Sequence, residues 1–147
     1  MTTRLSKAEY ETLGSFRYAL RQFLRFSEES ARALGIEPQQ HQALLAVKGF
    51  PGRDRITISE LAERLQIRHH SAVGLVDRLV AHGLLAREPA TADRRQVYIM
   101  LAERGETLLE QLTAAHKVEL RRLGPEILAL LDRLNEGVEQ AAPTQTA

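Results

Sequence analysis

Five arginines and three histidines fall between Arg68 and Arg95, spaced among small, polar and apolar residues rather than gathered in one basic run. A guanidinium is a planar fork that binds phosphate oxygens, or the edge of guanine, through two bonds at once. Imidazole and hydroxyl groups bond base edges or phosphates singly. Arg68, His70, Ser71 and Arg78 therefore offer the chemistry of nucleic-acid recognition. Asp93, Arg94 and Arg95 repeat it further on, where the carboxylate can hold one guanidinium in a fixed pose. Each reading has a plainer competitor. Arg78 could pair with a neighbouring carboxylate, and Arg94 with Arg95 could be a solvated cluster on a hairpin tip. Seventeen of the twenty cations are arginine, which a GC-rich coding bias would also produce.

Other chemistries find little footing. The chain has no cysteine, which excludes disulfides, thiolate zinc sites and nucleophilic thiols. His41, His69, His70, His82 and His116 show no HxxxH or HExxH spacing, and neighbours such as His69 and His70 point in different directions on a helix. No metal and no cofactor is expected. GxGxxG, GxxxxGK[ST] and GxSxG are absent, so an enzyme is not expected either. Within the 147 residues, 44% hydrophobic and 27% charged residues give a globular balance, read as one domain over 1–147. No apolar run approaches the roughly 18 to 20 residues of a membrane span, and MTTRLSKAEYETLG lacks the apolar stretch of a secretion signal. A cytoplasmic protein without a membrane partner is the expectation. The net charge of +1 is spread unevenly: residues 53–102 hold eight Lys/Arg against six Asp/Glu, while residues 103–147 hold five against eight.

The elements that position these groups follow from periodicity. Apolar residues three or four apart predict a helix over 7–34 that ends at Gly35. A short helix begins near Pro38, well suited to a first helical position, and closes before the loop GFPGRDR. Ile56, Thr57 and Ile58 suggest a brief strand, and Ser59 a natural N-cap for a helix to Leu65. After the tight connection Gln66-Ile67, a second helix runs to His82, stopped by Gly83. Strands over 84–88 and 96–101 flank the loop PATADR. Beyond them one amphipathic helix is interrupted at Gly124-Pro125 and followed by another, the two spanning 103–140; residues 141–147 read as a disordered tail. The fold class is mainly α with a small β-wing. A winged helix-turn-helix lobe occupies 38–101, with helices on both sides.

The second helix of that lobe carries the candidate interface. With Val73, Val76, Leu79 and Val80 facing inward, Ser71, Gly74, Leu75 and Arg78 share the outward face. Ser71 and His70 near its start could meet base edges, where backbone N–H groups also meet phosphates. Gly74 permits close approach of backbone to a duplex. Leu75 either touches a thymine methyl or packs against a neighbouring helix.

The stretch HSAVGLVDRLVAHGLLAREPATADRR, with Leu79, Gly83-Leu84, Arg87 and the Asp93-x-Arg95 wing, resembles the multiple-antibiotic-resistance regulator (MarR) family of bacterial transcription regulators. Flanking helices in the expected order extend the resemblance over about residues 8 to 140. It implies a homodimer whose terminal helices intertwine and whose two lobes sit on successive major grooves of a pseudopalindromic double-stranded DNA operator. By position it puts Ser71, Gly74 and Leu75 in the base-reading part of the helix and Arg95 at the wing arginine. Leu13, Leu108, Leu112, Ile127, Leu131 and Leu134 carry more apolar surface than a small lobe covers, which suits dimerisation. The resemblance also implies a small aromatic or phenolic effector, near Phe16, Tyr18, Phe23 and His41, residues that fit a plain core equally well. Where the family has Leu-Thr after the second wing strand, this chain has Leu101-Ala102, which removes an N-cap. Two other readings stay open: a helical dimer that acts as a protein-interaction adaptor without binding DNA, and a metal-responsive regulator.

Overall fold

The structure, a computed structural model, describes residues 4–89 and 96–139, with side chains up to residue 136. Its elements run α1 (Lys7–Ala33), α2 (Pro38–Lys48), β1 (Arg55–Thr57), α3 (Ile58–Leu65), α4 (His69–Ala81), β2 (Leu85–Pro89), β3 (Val97–Leu101) and α5 (Glu103–Glu139). This is a mainly helical fold with a three-stranded antiparallel sheet of order β1-β3-β2. Two compact units emerge: Glu28–Ala115 forms one, and the described residues up to Ser27 together with those from His116 onward form the other.

In the central unit the sheet register sets Ile56 opposite Ile99 and Leu85 opposite Leu101. Those side chains close over Leu44, Leu61, Leu75, Leu79, Leu84 and Leu112, all nearly or fully buried. Two of the helix stops in this unit use glycine where a left-handed residue is needed. After α1, Gly35 takes φ +81°, and the amide of Ile36 reaches back to the carbonyl of Ala31 at 3.2 Å. After α4, Gly83 takes φ +70°, Gly83 N–H donates to Val80 O at 3.0 Å and Leu84 N–H to Leu79 O at 2.9 Å. Both satisfy carbonyls that a helix end leaves open.

The other unit buries Thr12, Ala19 and Ser27 of α1 and Leu123 and Leu130 of α5. Larger apolar residues of the same helices stay outside: Leu13 is 51% exposed, Leu24 47% and Leu128 63%.

Three expectations are corrected. The chain does not break at Gly124-Pro125, for α5 is one helix with Pro125 inside it. Proline costs about 3 kcal/mol in a helix interior. Here Leu112, Leu123 and Leu130 stay buried at spacings of eleven and seven, so the helical phase on either side of the proline is the one that packing requires. The cap of α3 is Thr57, ahead of the expected Ser59: its hydroxyl accepts the Glu60 amide at 3.2 Å, and Glu60 Oε1 accepts the Thr57 amide at 3.0 Å. Thr57 can do this because the strand ends there with extended backbone, leaving Ile58 as the first helical residue. Leu112 needs no second chain; at 1% exposure it belongs to the core of the central unit, against which half-buried Leu108 also packs.

The missing threonine at Ala102 is offset by the backbone. The Ala102 amide donates to Leu84 O at 3.0 Å, and Glu103 and Glu106 in the first turn of α5 suit its positive end. Glu106 also pairs with Lys48 at 3.0 Å.

Candidate nucleic-acid interface

The helix-turn-helix is set by local chemistry at three points. Glu60 belongs both to the Thr57 capping box and to an ion pair with Arg53. Burial pushes the Glu60 carboxyl upward, but the Arg53 hydrogen bond and the two Thr57 bonds outweigh it and hold the group below the usual carboxylate range. At the turn, Gln66 is left-handed with φ 54°, where glycine would be expected, and its side-chain amide donates to Glu63 O at 2.7 Å. Ile67 N–H then closes on Ala62 O at 3.0 Å, which fixes the direction in which α4 departs.

Arg68 is the N-cap of α4, in extended backbone and with no side-chain cap bond, and the first turn holds no acidic residue. The open N–H groups and the helix dipole thus leave this end electropositive. Arg68, His69, His70 and Ser71 are all exposed there. Within this group His69 Nδ1 lies 3.5 Å from Ser59 Oγ. Among the described residues, Arg68, His70, Ser71 and Arg78 have no side-chain hydrogen bond or ion pair.

The face of α4 differs from the expected one. Ala72, Leu75, Val76 and Leu79 are buried, while Val73 and Val80 are half-buried. Leu75, at 1% exposure, is a core residue and has no side-chain surface to offer a base. The buried arc is shifted toward Ala72 and Leu75, while Val80 remains half-buried and packed against the core. Gly74 is half-buried with room for a methyl group, whose nearest neighbour would be Arg78 Nη1 at 3.6 Å, so nothing among the described residues demands glycine there. Arg78 is exposed and pairs with no carboxylate among the described residues; neighbouring Asp77 pairs with Arg87 of β2.

That Asp77–Arg87 pair, absent from the expected site, ties the wing strand to α4. Arg55 bonds Glu88 at 2.9 Å across the sheet and lies over the Tyr98 ring at 5.4 Å. Asp93, Arg94 and Arg95 lie outside the described residues.

Of the expected effector group, three residues lie on α1 and one, His41, on α2. Phe16 and Phe23 lie seven residues apart on one face of α1, Tyr18 is 62% exposed, and His41 is buried in the core of the central unit at 2% exposure. What the structure adds is His116. It meets Phe23 and Phe26 edge-on at 5.8 and 5.2 Å and bonds Ser27 at 2.9 Å, across 89 positions of sequence that no local pattern could link. Of the expected dimer residues, Leu13 and Leu131 are exposed while Ile127 and Leu134 are half-buried. A cavity of about 370 Å³ opens beside Leu13 and Leu134, lined also by Leu5, Tyr10 and Arg133. Among the described residues no three His, Asp or Glu come together as metal ligands would. No helix among them is long and apolar enough to cross a membrane.

Known proteins share this fold. Residues 34–96 match the family model described as MarR family. The HTH-type transcriptional repressor MdtR of Bacillus subtilis is 30% identical over 94 residues, which span 64% of this chain and 59% of MdtR. The match thus covers less than two thirds of that relative's length. A MarR family protein from Bacillus stearothermophilus shares the fold at TM-score 0.73 and 22% identity, over 95% of this chain and 98% of that one. A mutant MarR from E. coli, solved in complex with operator DNA, does so at TM-score 0.64 and 21% identity, over 96% and 100%.

Proposed function

We propose that the chain, whose residues 34–96 match the MarR family model, is a homodimeric, sequence-specific DNA-binding transcription regulator acting as a repressor. The observation that carries this is the start of α4: an uncapped, acid-free helix end at which Arg68, His70 and Ser71 stand exposed and unengaged. Buried Leu75, Val76 and Leu79 hold that end at a fixed angle to the lobe. Such an end meets phosphates with its N–H groups while its side chains reach base edges in a major groove. Arg78, further along the helix and unpaired among the described residues, suits a phosphate.

The likeness to MdtR, a repressor, and to a MarR structure carrying operator DNA supports the same reading. Two copies would place two such helices on half-sites about one helical turn, ~10 bp, apart. Relief by a small aromatic or phenolic effector would follow if that ligand bound better to a lobe spacing that mismatches the operator. It would then lower affinity by its preference between the two states, of order 1 to 3 kcal/mol.

The test is the salt dependence of duplex binding. The parent chain should bind random duplex weakly and more tightly as salt falls, and Arg68→Ala should reduce the log–log slope by roughly one unit per protomer. A parent chain indifferent to duplex at low salt would leave the proposal without support.

A further inference from the structure

The far end of α4 is held as firmly as its start is left open. The Gly83 and Leu84 amides take up the Val80 and Leu79 carbonyls, and the carbonyl of exposed His82, the C-cap, takes its donor from elsewhere. Arg104 provides it, its Nη1 donating to His82 O at 2.9 Å from 22 positions further along the chain. Two backbone features put Arg104 there. The Ala102 amide is bonded to Leu84 O at 3.0 Å, and a methyl group on Gly105 would lie 2.1 Å from that same oxygen. Only glycine lets the first turn of α5 press so closely against the exit of α4. Arg104 thus delivers a cation to the negative end of the α4 dipole, where cations are favoured.

We infer that Arg104 is a positioning residue for DNA reading: from the first turn of α5 it pins the C-terminal end of α4 and so sets the pose in which Arg68, His70 and Ser71 are presented. This rests on α4 being the DNA-reading helix. A group that positions without touching the duplex has a distinct signature. Its loss weakens binding where register matters, on a selected sequence, and leaves the electrostatic part on random duplex and its salt slope unchanged.

The experiment has two arms. Amide hydrogen exchange on the free protein follows the Gly83 and Leu84 amides in Arg104→Ala and Arg104→Lys, with the β3 amides as a measure of global stability. Duplex binding then compares a sequence selected from random DNA by the parent chain with random duplex, at several salt concentrations. Arg104→Ala should speed exchange at Gly83 and Leu84 but not in β3. It should also weaken the selected duplex by roughly three- to tenfold, as expected for one exposed charge-assisted bond, at constant slope. Arg104→Lys, which can still donate to a carbonyl, should recover most of both. Unchanged exchange, or a salt slope lowered by about one unit, would overturn the inference, the latter by making Arg104 a phosphate contact. Faster exchange with unaltered binding of the selected duplex would overturn it too. If the parent chain selects no duplex, faster exchange still establishes the pin, and it is the DNA reading that fails.

Discussion

Replacing Leu75 by Ala would empty a site enclosed by the core of the central unit, where the side chain is 1% exposed. The expected cost is about 2 to 5 kcal/mol, read as a lower denaturant midpoint. A cost well under about 1 kcal/mol would mean that the side chain is not packed as described. Glu60 allows a test by pH. Its carboxyl is held below the ordinary range by Arg53 and Thr57 despite burial, so its charge contributes stability above the unfolded value of about 4.3 and loses it as pH falls through the lower folded value. Glu60→Gln keeps an acceptor oxygen for Thr57 but removes the charge and, with it, the second oxygen that accepts from Arg53. The variant should be less stable than the parent at pH 7, and the gap should narrow as acid denaturation is approached. A gap independent of pH would assign the effect to packing.

At the scale of elements, the α3–α4 turn carries a conformational cost. Gln66 adopts a left-handed backbone that glycine enters freely, offset in part by its exposed bond to Glu63 O. Gln66→Gly should therefore raise stability modestly, by about 0.5 to 1 kcal/mol, seen as a higher melting temperature. A lower melting temperature would show that the side-chain bond outweighs the backbone strain. The helix ends on either side of α4 contrast in use. One is open, electropositive and unengaged; the other is closed by a glycine turn and by Arg104. A helix used as a probe needs that asymmetry, since the end that meets a ligand must keep its donors free while the other end must not move.

At the scale of the whole molecule, α1 and α5 display apolar side chains, among them Leu13 and Leu131, that stay exposed among the described residues. A second copy is the proposed cover, and the prediction is that the parent chain sediments as a dimer at micromolar concentration. Leu13→Asp combined with Leu131→Asp should shift it to monomer while the central unit stays folded, because neither residue belongs to that core. A parent chain that sediments as a monomer would remove the homodimer from the proposed function.

The amino-acid sequence by itself determined the order of elements, the winged helix-turn-helix and the stops at Gly35 and Gly83, because these follow from local periodicity and from backbone conformations that few residues tolerate. It also singled out Arg68, His70, Ser71 and Arg78, which the structure leaves exposed. The buried arc of α4 was beyond it. Ala72, Val73, Leu75, Val76, Leu79 and Val80 spread apolar surface over so wide an arc that periodicity admits two phases, and only packing within the central core buries Leu75. The continuity of α5 through Pro125, the claim of the core on Leu112 and the reach of Arg104 to His82 were decided in the same way. Each depends on the folded chain around it rather than on local preference: burial in the case of Leu112, a bond across 22 positions in the case of Arg104.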